Sequence, residues 1–340
     1  MTVAPAASTA AIQTPAHTPV WERAKFPGRF PIETMLSEHE VHYLHWVGAQ
    51  AYRGAGRVVD LGPWLGGSTV ALGTGLTSNP RWTGKLLSYD MFVMDEGSAR
   101  AAKSPRVAGE SFLVEYLANT GFLGDRLVAR PGRLPEFASL TQQRELYPEQ
   151  DAIEVLFVDL CKVWGVHNTV LSAFGRHLVP GGLLIQQDFK WDCYWLPIHM
   201  WQLRSTFEPV ADIPGSATVT FELRGDLASR LEDLWQPQDF APDEWADVWR
   251  DVFAYWRARK ATWVLSTLFV QRAIHMLTFG RRDAAFESLE EGARFMETEA
   301  GVWECWTYEG LYGLMPYYVQ PADQAAARTI HERVRKARQR

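Results

Sequence analysis

The sequence predicts an α/β protein. Its core is a doubly wound, mostly parallel sheet of seven strands that ends in an antiparallel hairpin, and an all-α extension follows. Three observations predict this. Short apolar runs alternate with helical patterns from Val58 to Asp188, which implies right-handed βαβ units. Two further strand-like runs, "FEPVADI" and "TVTFELRG", are separated only by "PGSA" (Pro214 to Ala217), and so short a loop allows only an antiparallel pairing. From Gly225 onward the apolar residues recur at helical spacing alone.

In chain order, "MLSEHEVHYLHWVGAQAYRGAGR" is predicted to be a helix. Ser37 and Glu40 stand at capping-box spacing, and Gly54 and Gly56 end it. The strands are predicted at Val58 to Leu61, Lys85 to Asp90, Arg126 to Arg130, Ala152 to Asp159 and Leu183 to Asp188. "AIEVLFVD" is almost continuously apolar, as suits a strand covered on both faces. A helix over Val166 to Leu178 is expected to stop at "PGG", Pro180 to Gly182. In the extension, Trp245, Trp249, Val252 and Trp256 share one helical face, and two more helices meet at Gly280. Three regions follow from this: a tail over 1–20, a Rossmann-like α/β domain over 21–224 and a helical region over 225–340.

Composition excludes several classes of function. The chain has 340 residues, is 47% hydrophobic and carries a formal net charge of -6. No basic stripe stands out, so nucleic acid is not an expected partner. No apolar run reaches the ~18 residues of a membrane span. Cys161, Cys193 and Cys305 are odd in number and unrelated in spacing, which points to a reducing, cytoplasmic setting. The first residues are rich in Ala, Thr and Pro, with neither a basic start nor an apolar stretch, and read as a disordered tail.

The chemistry begins at "RVVDLGPWLGGSTVALGTGL". Here a strand runs into Gly62, Gly66 and Gly67, and a helix follows. Such a turn either serves packing or lets a ligand approach the backbone at a helix N-terminus. The spacing G-x-x-x-G-G differs from the dinucleotide fingerprint G-x-G-x-x-G, and Asp60 would repel a pyrophosphate. Asp60 suits an ammonium group, while Ser68 and Thr69 could hold a carboxylate. Asp90, closing the second strand, can accept hydrogen bonds from both hydroxyls of a ribose.

With "VVDLGPWLGGST", "LLSYD", "LFVDLCK", "VPGGLLIQQD" and the terminal hairpin, the segment from Met35 to Arg224 resembles the class I S-adenosylmethionine-dependent methyltransferases. Within them it is most similar to the metal-dependent catechol and macrocin types. The resemblance implies an O-methyltransferase acting on a hydroxyl of a small molecule, with S-adenosyl-L-methionine as cofactor and Mg²⁺ assistance. It implies that Asp60, Gly62 and Ser68 contact the methionine end, that Asp90 takes the ribose, and that Gly132 and Arg133 border the adenine; Gly66, in the same turn, is also expected to hold the cofactor.

Asp159 and Asp188 end the fourth and fifth strands, side by side on the rim, where two carboxylates could share a Mg²⁺ ion. Such an ion would acidify a substrate hydroxyl. The other reading of the pair is one cofactor-side acid and one capping or salt-bridged acid. Lys162 matches the general-base lysine of the catechol type; its other reading is a solvated surface lysine. Two positions depart from that type. Phe189 stands where it has an Asn ligand, with Gln187 as a substitute, and Leu160 stands where it has a histidine.

Elsewhere, His39 and His42 share a face of the first helix, as a metal pair or as exposed histidines. Cys161 reads as a small core residue. Trp191, Tyr194 and Trp195 either stack on substrate or pack on the extension. Ten of the 15 tryptophans follow residue 190, so the C-terminal helices must bury a face, as a lid over the pocket or as a homodimer contact. Two other functions remain open from the sequence: a non-catalytic S-adenosylmethionine-binding protein and a nicotinamide-dependent oxidoreductase.

Overall fold

The computed structural model describes residues 20–161, 163–234, 240–241, 243–298 and 307–337. Seven strands form one sheet: β1 (Arg57–Leu61), β2 (Leu86–Asp90), β3 (Leu127–Pro131), β4 (Ile153–Val158), β5 (Leu178–Gln186), β6 (Phe207–Asp212) and β7 (Val219–Leu223). Their order is β3-β2-β1-β4-β5-β7-β6. The first five strands pair in parallel, and β7 runs antiparallel to both β5 and β6. This is the doubly wound sheet with the terminal hairpin that the sequence predicts. The order reverses between β1 and β4, which puts a ligand crevice above their carboxyl ends.

The helices before the hairpin are α1 (Glu38–Trp46), α2 (Gly67–Ser78), α3 (Glu96–Ala101), α4 (Leu113–Asn119), α5 (Leu140–Leu146), α6 (Trp164–Ala173) and α7 (Trp195–Gln202). Side chains alternate across the sheet, as the pleat requires. Val58, Val155, Phe157 and Ile185 pack with α1 and α2, including Val41, Leu44 and Leu72. Val59, Leu156, Val158 and Leu184 face the other way and join α6, α7 and the C-terminal helices in one core. The capping box of α1 forms as its spacing predicts: Glu40 N–H donates to Ser37 Oγ at 3.2 Å, and Ser37 N–H donates to Glu40 Oε2 at 2.7 Å.

One predicted boundary is corrected. The sixth helix ends at Ala173, a 3-10 turn covers Gly175–His177, and Leu178 already belongs to β5. Pro180 to Gly182 therefore lie inside the strand and do not stop a helix. They form an irregularity in which β5 advances from Leu178 to Leu183 while β4 advances only from Ile153 to Val155. Gly181, at φ 73, makes the bend. The strand also ends at Gln186, so Asp188 sits one residue beyond Gln187 in the following turn.

The extension comprises α8 (Trp245–Ala258), α9 (Thr262–Thr278), α10 (Arg282–Thr298), α11 (Thr307–Tyr318) and α12 (Gln324–Ala337). Trp245, Trp249 and Trp256 of α8 are fully buried, and Gly280 turns the chain between α9 and α10 at φ 67. Among the described residues no helix is long and apolar enough to cross a membrane.

The extension is fastened to the segment after β5. The side chain of Gln271, in the middle of α9, donates to the carbonyls of Phe189 (2.8 Å) and Trp191 (2.7 Å). The Phe189 ring lies 5.2 Å from Phe221 and 5.5 Å from Trp256. The expected packing beside Trp191 to Trp195 is thus present. A Gln271→Leu change would leave two carbonyls without their donor at a buried seam and should cost about 2–4 kcal/mol of stability. Chemical denaturation reads this as a lower midpoint at unchanged slope; an unmoved midpoint would show that water replaces the amide without cost.

Candidate ligand-binding and active site

The glycine turn is shaped first by the chain around it. Gly62 has φ 84, and a Cβ on it would strike the carbonyl oxygen of Asp159. Gly62 N–H donates to Tyr89 O at 2.9 Å, and Asp159 N–H donates to Leu61 O at 2.8 Å. These bonds draw the ends of β1, β2 and β4 together. Gly66, at φ 102, is the N-cap of α2. Between them Trp64 adopts φ 49, a left-handed conformation rare for a bulky side chain.

Beneath the turn lies a buried polar chain. Ser68 Oγ donates to Asp60 at 2.9 and 3.0 Å, and Thr69 Oγ1 donates to Asp60 at 2.6 Å. Thr69 Oγ1 also meets the Tyr116 hydroxyl at 3.1 Å, which in turn donates to Ser88 at 2.8 Å. Asp60 is wholly buried, and burial pushes its carboxyl up to about 7, against the hydrogen bonds from Thr69 and Ser68. Asp60 and Ser68 thus engage each other below the loop, and neither belongs to the cavity wall described next. Tyr116 and Ser88 carry no motif that marks them.

Above the turn opens a cavity of about 660 Å³. Gly62, Asp90, Gly132, Arg133 and Asp159 line it, so five of the predicted site residues meet there. Trp64, Asp95 and Glu136 line it as well, and sequence reasoning did not single them out. Asp90 accepts from Phe92 N–H (2.8 Å) and Trp64 N–H (3.2 Å), which fixes its carboxylate at the strand end. Burial raises its pKa, while those N–H groups oppose the rise. Asp95 caps α3. Burial disfavours its carboxylate, but hydrogen bonds from Ser98 and Gly97 outweigh burial and hold its pKa below the usual value. Among the described residues the wall therefore holds four acids, Asp90, Asp95, Glu136 and Asp159, against a single arginine, Arg133. Apolar side chains of Val93, Leu134, Leu160, Val163 and Val166 form much of the rest. The described residues of the C-terminal extension do not line this cavity.

The remaining candidates fall elsewhere. Lys162 lies outside the described residues. Asp188 is buried and is not part of the cavity wall. Among the described residues no group of three or more His, Cys, Asp or Glu side chains is gathered to hold a metal ion. Phe189, in place of the third ligand, turns its ring into the core. The magnesium expectation thus gains no support. His42 is buried and accepts from Phe26 N–H at 3.1 Å, while His45 Nδ1 meets Ala24 O at 2.9 Å. These two histidines secure the entry to α1. Cys161 is buried, as expected of a core residue.

No family model matches the chain, and no curated protein matches it. Among solved structures it is similar to the O-methyltransferase NovP, at 15% identity and a TM-score of 0.41, over 56% of this chain and 82% of that one.

The buried Asp60 sets a pH signature. Its folded carboxyl keeps a proton up to about pH 7, whereas the unfolded chain releases it near 4. Between those values the folded state binds more protons, so this residue's contribution to stability is lost as pH rises. Relative to wild type, an Asp60→Asn protein should gain stability by on the order of 1 kcal/mol per pH unit across that window. Denaturation midpoints of both proteins at pH 5 to 8 check this; parallel profiles would show that Asp60 ionises at an ordinary pH.

Proposed function

We propose that the protein is an S-adenosylmethionine-dependent methyltransferase that acts on an oxygen of a small hydroxylated molecule. One observation carries the reading: among the described residues, the cavity over the glycine turn is walled by four carboxylates and one arginine. Such a wall attracts a cation and repels a pyrophosphate, which disfavours the nicotinamide reading. A ligand with an ammonium, a sulfonium and a ribose suits it. Asp90, held at the end of β2 by two backbone N–H groups, retains lone pairs for the two ribose hydroxyls. Gly62 keeps the floor open, and Gly132 and Arg133 border the far end. The volume suits a cofactor together with a small acceptor.

When bound, the cofactor supplies an electrophilic methyl group. The chain's own part is placement and proton removal. Leu160, Val163 and Val166 offer an apolar wall for the acceptor's carbon skeleton. Asp159, on the same wall, can accept the hydroxyl proton, and Lys162, three residues on, is the second candidate base by its place in the sequence. Alignment of the oxygen supplies much of the rate, since transfer needs little beyond proximity. No metal enters this scheme.

Calorimetry with S-adenosylmethionine should give saturable binding. Asp90→Asn should weaken it at least about tenfold, because it removes charge-assisted bonds of ~1.5–3 kcal/mol each. Unchanged affinity in a folded variant would take Asp90 out of the site. A labelled methyl donor offered with a panel of phenols and sugars, with and without chelator, reads turnover. Binding without transfer to any acceptor would point to a non-catalytic binding protein, and activity lost in chelator would restore a metal.

A further inference from the structure

A second cavity lies where the segment after β5 meets α9 and α11. Its volume is about 440 Å³, and Asp192, Tyr194, Trp195, Ile274, Leu277 and Tyr318 wall it. Its chemistry differs from that of the first. Asp192 is the one charged residue in the described wall, with no lysine or arginine beside it. Three aromatic rings accompany it. Tyr194 is fixed by stacking on His275, with centroids 4.3 Å apart, and it meets Trp195 edge-on at 5.0 Å. The Tyr318 hydroxyl donates to Asp192 Oδ2 at 2.5 Å, which orients the carboxylate and leaves its charge in place.

A lone carboxylate among electron-rich rings attracts an organic cation and repels an anion. A neutral ligand would displace water from Asp192 and return no charge. We infer that this cavity binds a small organic cation, such as an amino alcohol or its quaternary ammonium counterpart. The ammonium sits over the rings beside Asp192. The site is separate from the first cavity but adjoins its wall: Cys193, also lining the second cavity, donates its thiol to Cys161 O at 3.5 Å, next to Leu160 of the first. The inference does not depend on methyl transfer.

Calorimetry on the full chain with choline, tetramethylammonium and ethanolamine tests it, with 3,3-dimethyl-1-butanol as the uncharged counterpart of choline. Choline should bind saturably below about 10 mM, and the uncharged alcohol at least about tenfold more weakly. This comparison needs no variant. Asp192→Asn, which keeps an acceptor for Tyr318, should lose a similar factor with an unchanged melting temperature. Trp195→Ala, which removes a ring from the wall, should weaken all three cations. Absence of saturable binding by all three cations, or equal binding of the uncharged alcohol, would overturn the inference.

Discussion

At one point three strand ends are held within a single peptide of one another. Gly62 lies against the Asp159 carbonyl and donates to Tyr89 O, while Asp159 N–H returns to Leu61 O. No side chain fits there, so the first and fourth strands close directly on each other. That closure fixes where the second and fourth strands stop. It sets Asp90 and Asp159 on one rim, with the glycine turn between them. It also presses Trp64 into its left-handed conformation, from which its N–H reaches Asp90 Oδ2. The cavity is what remains above this knot. Beneath it, Asp60 is sealed with Ser68, Thr69 and Tyr116, so the loop rests on a hydrogen-bonded base and cannot collapse into the sheet.

The segment after β5 is held with comparable firmness from two sides. On one side Lys190, fully buried, donates to Asp212 Oδ1 at 2.5 Å and to Ile213 O at 2.9 Å. Its ammonium also lies 5.6 Å from the Trp263 ring of α9. On the other side Gln271 takes the carbonyls of Phe189 and Trp191. A buried ion pair adds little net stability against an apolar substitute, but it penalises every arrangement that separates the charges. Together these contacts lock one path for the chain from Phe189 to Trp195. The described tryptophan-rich helices therefore form a buttress behind the rim, and none of their described residues lines the first cavity. The second cavity lies where this buttress meets the segment.

Much of this was legible in the sequence where the physics is local. Continuous apolar runs such as that of β4 mark strands covered on both faces, and the four-residue connection fixes the terminal hairpin. The box of Ser37 and Glu40 is a contact three residues apart, and it forms as spacing requires. The end of α6 was not legible, because Pro180 to Gly182 suit a helix stop and a strand irregularity equally. Pairing with β4 decides between them. The site divides in the same way. Gly62, Asp90 and Asp159 follow from strand ends alone. Asp60 and Ser68 were recognised, but their bond to each other was not, since residue type does not reveal which way a side chain turns. Tyr116 lies 47 residues from Thr69, and Gln271 lies 82 from Phe189, so tertiary packing alone brings these partners together.

The distribution of charge ties these features together. The chain carries a net -6, yet its acids are not spread evenly over the two functional surfaces. Among the described residues, four carboxylates face one arginine in the first cavity, and in the second a single carboxylate faces none. Each of the anchored acids is held by donors that do not neutralise it: backbone N–H groups on Asp90 and a tyrosine hydroxyl on Asp192. Charge fixed by neutral donors stays available to a ligand, whereas charge paired to a lysine, as at Asp212, is spent inside the fold. The fold thus separates its acids into those that hold the chain together and those that face a cavity. Because a concave wall of low polarity screens less than open water, the outward acids act together over the depth of each cavity.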